Sequence, residues 1–184
     1  QTGEKILVIG AGGIGLNAIH AAAIAGAQQI IVVDIDDNKL TRAKVLGATH
    51  TLNGKEGDIE IFVNQVTENK GVDYAIEAVG HATTMEAAYN STDKFKGKCI
   101  LCGVPRPGLR ITIDPFPLYF GRSIVGTNGG ETNPDEDYPK YCDWYMEGKI
   151  KLDEMISDVI ALALVNEGIE KMQQGNCQRI VIEF

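Results

Sequence analysis

The sequence predicts an α/β protein: a doubly wound, six-stranded parallel sheet with a C-terminal helix and strand extension. Two observations carry this expectation. Short apolar runs alternate with helical patterns between residues 5 and 127, and the first run ends in a turn with four glycines in six residues, "GAGGIG". Runs that are apolar throughout suit strands buried on both faces. Alternation of such strands with helices implies right-handed βαβ units and a parallel sheet.

The predicted strands are Lys5–Ile9, Ile30–Asp34, Thr49–Leu52, Val72–Glu77, Lys98–Gly103 and Ser123–Thr127. The helical patterns between them cover Gly13–Ala25, Asp37–Leu46, Ile59–Val66 and Thr83–Ser91. In the fifth crossover, prolines at 105, 107, 115 and 117 forbid a long regular helix. Its apolar tail (Phe116, Leu118, Tyr119, Phe120) suits either core or an interface. After Thr127 the composition changes to "NGGETNPDEDYPK", which reads as a boundary. A helix is expected over Asp137–Glu147 with Pro139 in its first turn. Another follows over Val165–Gln174, and "QRIVIEF" closes the chain as a strand.

The chain's 184 residues are enough for one well-buried domain, or one domain and part of a second. No apolar run reaches the roughly 18–20 residues of a membrane helix, and "QTGEK" is not a signal-peptide start. A net charge of −8 argues against a nucleic-acid surface. Cys99 and Cys102 form C-x-x-C within an apolar strand, where residues three apart face opposite sides. With Cys142 and Cys177 far off and no histidine nearby, all four cysteines are expected to be buried, reduced and structural, which suits a cytoplasmic protein.

Gly10, Gly12 and Gly15 form G-x-G-x-x-G directly between a strand and a helix. The first permits the tight turn, the second admits a pyrophosphate close to backbone, and the third lets helix and strand pack closely. The helix start adds free N–H groups and a positive dipole end. The motif becomes specific when an acid follows at the right distance. Asp34, 19 residues after Gly15, supplies it. Its carboxylate suits both hydroxyls of an adenosine ribose and repels the extra phosphate of NADP, so NAD is expected as cofactor. Asp36 and Asp37 add negative charge, against Lys39 and Arg42. The alternative is a glycine turn used for packing alone. Two further strand ends, Ala78–Val79–Gly80 in "IEAVG" and Cys102–Gly103–Val104 in "LCGVP", are small and apolar enough to pass a nicotinamide beside backbone.

With these residues in place, the chain resembles the coenzyme-binding half of the zinc-dependent, medium-chain alcohol dehydrogenases, a Rossmann-fold family. The resemblance runs its whole length, through "VDIDDNKLTRAKVLGATHTLN", "GVDYAIEAVG", "GKCILCGVP", "GRSIVGTNGG" and "QRIVIEF". It implies that Gly10, Ala11, Gly12, Gly13, Ile14 and Gly15 wrap the pyrophosphate, that Asp34 and Lys39 hold the ribose, and that Ile35 flanks the adenine. On the nicotinamide side it implies Ala78, Val79, Cys102, Gly103, Val104 and Thr127. Asn128 stands where the family often has a larger residue beside the carboxamide. Arg179 matches an arginine that pairs with the pyrophosphate.

The same resemblance implies zinc only in a catalytic domain whose ligands, two cysteines and a histidine, have no counterpart here. His20, His50 and His81 lack ligand spacing; His20 reads as helix surface or core, His50 as strand and His81 as a helix start. The chain is therefore expected to be a fragment. Its cofactor domain would span about 1–128, and a segment of about 129–184 would return to the catalytic domain. It would bind NAD without catalysing, its parent acting on a small alcohol or aldehyde as a homodimer joined near residues 111–127. A non-catalytic NAD-sensing module and a zinc-free quinone or enoyl-type reductase domain are the alternatives.

Overall fold

The computed structural model describes residues 3–174, 177 and 179–184, and it divides into two units between Thr132 and Asn133. The first unit contains β1 (Lys5–Ile9), α1 (Gly13–Ile24), β2 (Gln29–Asp34), α2 (Asp37–Val45), β3 (His50–Asn53) and α3 (Ile59–Val66). It continues with β4 (Tyr74–Glu77), α4 (Ala82–Asn90), β5 (Lys98–Leu101) and β6 (Ser123–Gly126). The sheet runs β3-β2-β1-β4-β5-β6 with every pairing parallel, as the alternating pattern predicts. The chain winds outward from β1 to β3, then crosses back to β4 and winds the other way. That reversal opens a crevice beyond the carboxyl end of β1.

Both faces of the sheet are covered, which explains why the middle of its central strands β1 and β2 is apolar at every position. Leu7, Ile9, Ile31 and Val33 cluster with Val63 of α3 and with Ala88 and Tyr89 of α4. The intervening Val8, Ile30 and Val32 are equally buried and point to the opposite face, because strand side chains alternate. Helices α1 and α2 lie on that side, against β1–β2 and β2–β3. Asp36 caps α2 by accepting the Asn38 N–H at 2.9 Å, and Asp58 caps α3 by accepting the Ile61 N–H at 2.9 Å.

Several boundaries differ from the sequence expectation, each for a visible reason. Val72 leaves the ladder because its N–H donates to Ser91 O and its carbonyl accepts from Asp93 N, tying it to the segment after α4. Strand β5 stops at Leu101, not Gly103, because the N–H groups of Cys102 and Gly103 both turn to the Glu77 carbonyl, at 2.8 and 2.9 Å. The proline-rich crossover has only a 3-10 turn, Phe116–Phe120, and its Phe116, Tyr119 and Phe120 are exposed rather than core.

The second unit contains α5 (Pro134–Met146), β7 (Asp158–Ala161), α6 (Val165–Gln173) and β8 (Ile180–Glu183), with β7 and β8 paired in parallel. Pro134, not Pro139, opens α5; Pro139 lies inside the helix and gives up the N–H bond it would otherwise make. Strand β7 is an element that the sequence reading lacks. The four cysteines are free, but only Cys99 is buried; Cys102 and Cys177 are half-buried and Cys142 is exposed, against the expectation of four buried thiols. No helix among the described residues is long and apolar enough to cross a membrane.

At the amino edge of the sheet, Asp73 joins three strands. Its carboxylate accepts the Lys5 N–H at 3.0 Å and pairs with Lys96 Nζ at 2.9 Å, while its carbonyl accepts the Lys98 N–H. Burial pushes its carboxyl up, but the Lys96 hydrogen bond and the Lys5 amide outweigh burial and hold it below the ordinary value. A carboxyl depressed on folding contributes stability above its unfolded value and loses it as pH falls through the folded one. Urea unfolding should therefore show stability falling below about pH 4. Asp73→Asn should be less stable at neutral pH and should lose less on acidification.

Candidate dinucleotide site

The glycine turn links β1 to α1 at the head of the crevice. Gly10 continues the ladder by donating to Val33 O at 2.8 Å, then takes φ +92°, which a side chain rarely adopts. Gly15 packs so closely that a Cβ there would lie 1.7 Å from the Gly10 carbonyl oxygen. A Cβ on Gly12 would meet nothing within 4 Å, so that side of the turn is open. The first turn of α1 carries no acid, and Leu16 N–H donates back to Gly12 O. The amides of Gly12, Gly13, Ile14 and Gly15 are thus left to face a ligand, at the positive end of a 12-residue helix. An anion fits this cradle.

Asp34, the last residue of β2, is half-buried at the same edge. One carboxylate oxygen accepts the Ala11 N–H at 2.6 Å and the other accepts the Asp36 N–H at 3.0 Å. The acid therefore stiffens the glycine turn as well as presenting its charge. Asp36 is engaged as the α2 cap, and Asp37 accepts from Asn53 Nδ2 at 2.9 Å. Of the three neighbouring acids, only Asp34 lines the cleft.

That cleft has a volume of about 810 Å³. It brings together Gly10, Gly12, Asp34, Ile35, Lys39, Ala78 and Val79 from three separate stretches of sequence. Ile35 is 59% exposed, an apolar side chain standing free at the adenine end of the predicted site. Ala11 is buried beneath the turn, while Gly13, Ile14 and Gly15 form the first turn of α1. Cys102, Gly103 and Val104 leave β5 beside the β4 exit and are not part of the cleft lining. Thr127 and Asn128 directly follow β6, and Arg179 is an exposed residue of the second unit, just before β8.

The sequence reading misses part of the wall. Gly54, Gly57, Asp58 and Ile59 from the β3–α3 connection line it, as do His81, Thr83 and Thr84 at the start of α4. No motif marks them; only the rule that every strand of this sheet ends at the same edge could have found them. His81 is the residue before α4, exposed, as read from sequence; His20 is buried within α1 and His50 opens β3.

The cysteine pair is chemically quiet. Burial pushes the Cys99 thiol up to about 12, with the Glu77 charge adding to the effect. Burial and then Glu77 also raise Cys102. Both thiols stay protonated, unlike a reactive or metal-binding pair. Among the described residues, no group of three or more His, Cys, Asp or Glu side chains is placed to hold a metal ion.

Comparison with known proteins gives this geometry a context. The family model described as "Zinc-binding dehydrogenase" matches residues 13–147. The chain belongs to that family. The alcohol dehydrogenase class-3 of Cereibacter sphaeroides is 36% identical over 191 residues, a match covering all of this chain and 51% of that protein. The crystal structure of benzyl alcohol dehydrogenase from Acinetobacter calcoaceticus superposes with a TM-score of 0.94 at 29% identity, over the whole chain and half of that one. A zinc-binding dehydrogenase from Sinorhizobium meliloti, solved bound to NADP, gives 0.82 at 29% identity, covering 92% of this chain and 49% of the other. The chain thus spans about half the length of the relatives it matches.

Closure of the turn depends on Gly15 having no side chain. Gly15→Ala should cost about 1–3 kcal/mol, the usual penalty for overpacking, and should weaken NADH binding. Urea unfolding and calorimetric titration with NADH check both effects.

Proposed function

We propose that this chain is the NAD-binding portion of an alcohol dehydrogenase-like oxidoreductase, whose reaction moves a hydride between a small alcohol or aldehyde and NAD. The observation that carries this reading is Asp34: a carboxylate at the edge of a dinucleotide-shaped cleft, fixed by two backbone amides. An adenosine ribose offers it two hydroxyl donors. A ribose phosphate would set like charge against like, which disfavours binding. Lys39, also in the cleft lining, would give the ribose a further polar contact.

In this reading the amides of Gly12, Gly13, Ile14 and Gly15 hold the pyrophosphate. Ile35 covers the adenine. Val79, with the backbone of Cys102–Val104 and the Thr127–Asn128 segment, orients the nicotinamide. When bound, the nicotinamide supplies the carbon that exchanges hydride with the alcohol carbon. Zinc, as Lewis acid on the alcohol oxygen, would be held by groups other than the described residues of this chain. The chain by itself would bind cofactor and turn over no alcohol. An NAD-sensing module remains the alternative of another class, distinguished by alcohol oxidation in the protein of which this chain is part. A zinc-free reductase domain fits less well, because Asp34 opposes the NADP that such domains usually take. Four free thiols suit a reducing, cytoplasmic setting.

We also propose a homodimer through the outer strand β6. This strand ends the sheet and pairs with β5 alone, leaving its other edge unfilled among the described residues. Val125 and the neighbouring Tyr119 and Phe120 are exposed there. A contiguous apolar surface beside an open strand edge is suited to joining two copies. No nucleic-acid or membrane partner is proposed.

Calorimetry on the 184-residue chain should show NADH binding at least about tenfold more tightly than NADPH, or roughly 1.4 kcal/mol; equal affinities would overturn the role given to Asp34. Sedimentation equilibrium should give a dimer that Val125→Lys shifts toward monomer, and a wild-type monomer would remove the β6 proposal.

A further inference from the structure

Glu77, the last residue of β4, is 0% exposed and stands in register with Ile9 of β1 and Leu101 of β5. Charged side chains are almost never buried so completely unless paired. No cation pairs with it among the described contacts. Instead, Oε1 accepts three hydrogen bonds: the Val79 N–H at 2.9 Å, the Gly80 N–H at 2.8 Å and the Thr84 hydroxyl at 2.7 Å. Oε2 has no protein partner, and a Cβ on Gly103 would come within 2.7 Å of it. The Glu77 carbonyl takes the Cys102 and Gly103 amides. One residue thus gathers backbone from both strand exits, β4 and β5.

Those exits touch each other through backbone. A Cβ on Gly80, which has φ +91°, would lie 2.7 Å from Val104 O, and one on Gly103 would lie 2.3 Å from Gly80 N. Neither turn can shift without the other. Val79 also sits against Gly10, where a Cβ would meet Val79 Cγ2 at 2.7 Å. Glu77 lies behind this surface and does not line the cleft itself. An orphaned carboxylate oxygen in the interior costs stability. That cost is offset by charge-assisted hydrogen bonds to backbone, which are shorter and stronger than neutral ones.

We propose that Glu77 is the positioning residue for the nicotinamide half of the cofactor: its carboxylate holds the Val79–Gly80 turn, which lies against the Cys102–Val104 segment, and so sets the wall on which the ring lies. The inference rests on the NAD-binding reading above. It makes a separation that a general stabilising role does not. Loss of Glu77 should loosen the nicotinamide wall while the glycine turn and Asp34, held by other contacts, keep their grip on the adenosine diphosphate half.

The test uses two probes on the 184-residue chain, NADH and ADP-ribose, each titrated calorimetrically, with NADH fluorescence reporting the ring's surroundings. Glu77→Ala should weaken NADH by about tenfold or more, or roughly 1.4 kcal/mol, shift its emission toward that of free NADH, and leave ADP-ribose within about threefold. Glu77→Gln keeps an oxygen for the Val79 and Gly80 amides and should recover most of the NADH affinity. Should Glu77→Ala fail to fold, Glu77→Asp carries the same comparison, since it keeps the charge but shortens the reach. Parallel loss of both probes, or loss of neither, overturns the positioning role while leaving the cofactor site standing. A wild-type chain that binds neither probe overturns the underlying reading as well.

Discussion

The closest constraint in the first unit is the approach of α1 to the end of β1. At Gly15 the helix comes so near the Gly10 carbonyl that no side chain fits between them. This approach brings the helix N-terminus to the edge of the sheet, where the reversal of strand order has opened a crevice. A looser crossing would leave the helix amides facing their own loop. The Asp34 carboxylate then fastens the turn by taking the Ala11 N–H. The glycine turn proposed to cradle phosphate and the acid proposed to face the ribose are therefore one mechanical unit, although 23 residues separate the two bonded positions.

Two carboxylates flank β1, and the contrast between them organises the site. Asp34 ends β2 and Glu77 ends β4, the two neighbours of β1 in the sheet. Each accepts two backbone amides from the turn that follows or adjoins its strand. Asp34 is half-buried and lines the cleft, so its charge is available to a ligand. Glu77 is sealed behind the wall, so its charge acts only on protein groups, including the two thiols it helps to keep protonated. In the proposed reading, similar chemistry at the ends of the two neighbouring strands would serve recognition on one side and shape on the other.

The parts of the fold that could be read from residues alone are those where local chemistry and topology agree. The apolar strands and glycine turn repeat a pattern that has one common solution, a doubly wound sheet. Cys102 and Gly103 look like strand because they are small and apolar. Their amides go instead to the Glu77 carbonyl, a partner 25 residues or more away that no local pattern announces. Pro139 looked like a first-turn proline until Pro134 was seen to fill that place. Strand β7 is four residues long and alternates only weakly in burial, too little signal for a period to emerge. In "IEAVG" nothing local distinguishes Glu77 from an ordinary exposed carboxylate at a strand end. Its importance comes from burial, which a sequence does not print.

Family membership leaves the cofactor's charge open, since a relative of similar fold and 29% identity was solved with NADP bound. The choice must come from side chains at the proposed adenosine end, where Asp34 would oppose an added phosphate while Asp36 and Asp37 are tied up in local contacts. The nicotinamide end has the opposite character. Val79 is 42% exposed and Val104 is 90% exposed, without charged groups among the three residues that carry each turn. Apolar area left in water at that level is a cost that a bound ring relieves. An uncharged wall of this kind discriminates poorly by itself, because almost any flat apolar group could lie on it. In the proposed reading, selectivity for a dinucleotide comes from distance: a pyrophosphate held at the glycine turn and a ribose held at Asp34 would leave the ring one reach along the strand ends. That reach ends on the surface that Glu77 holds in place.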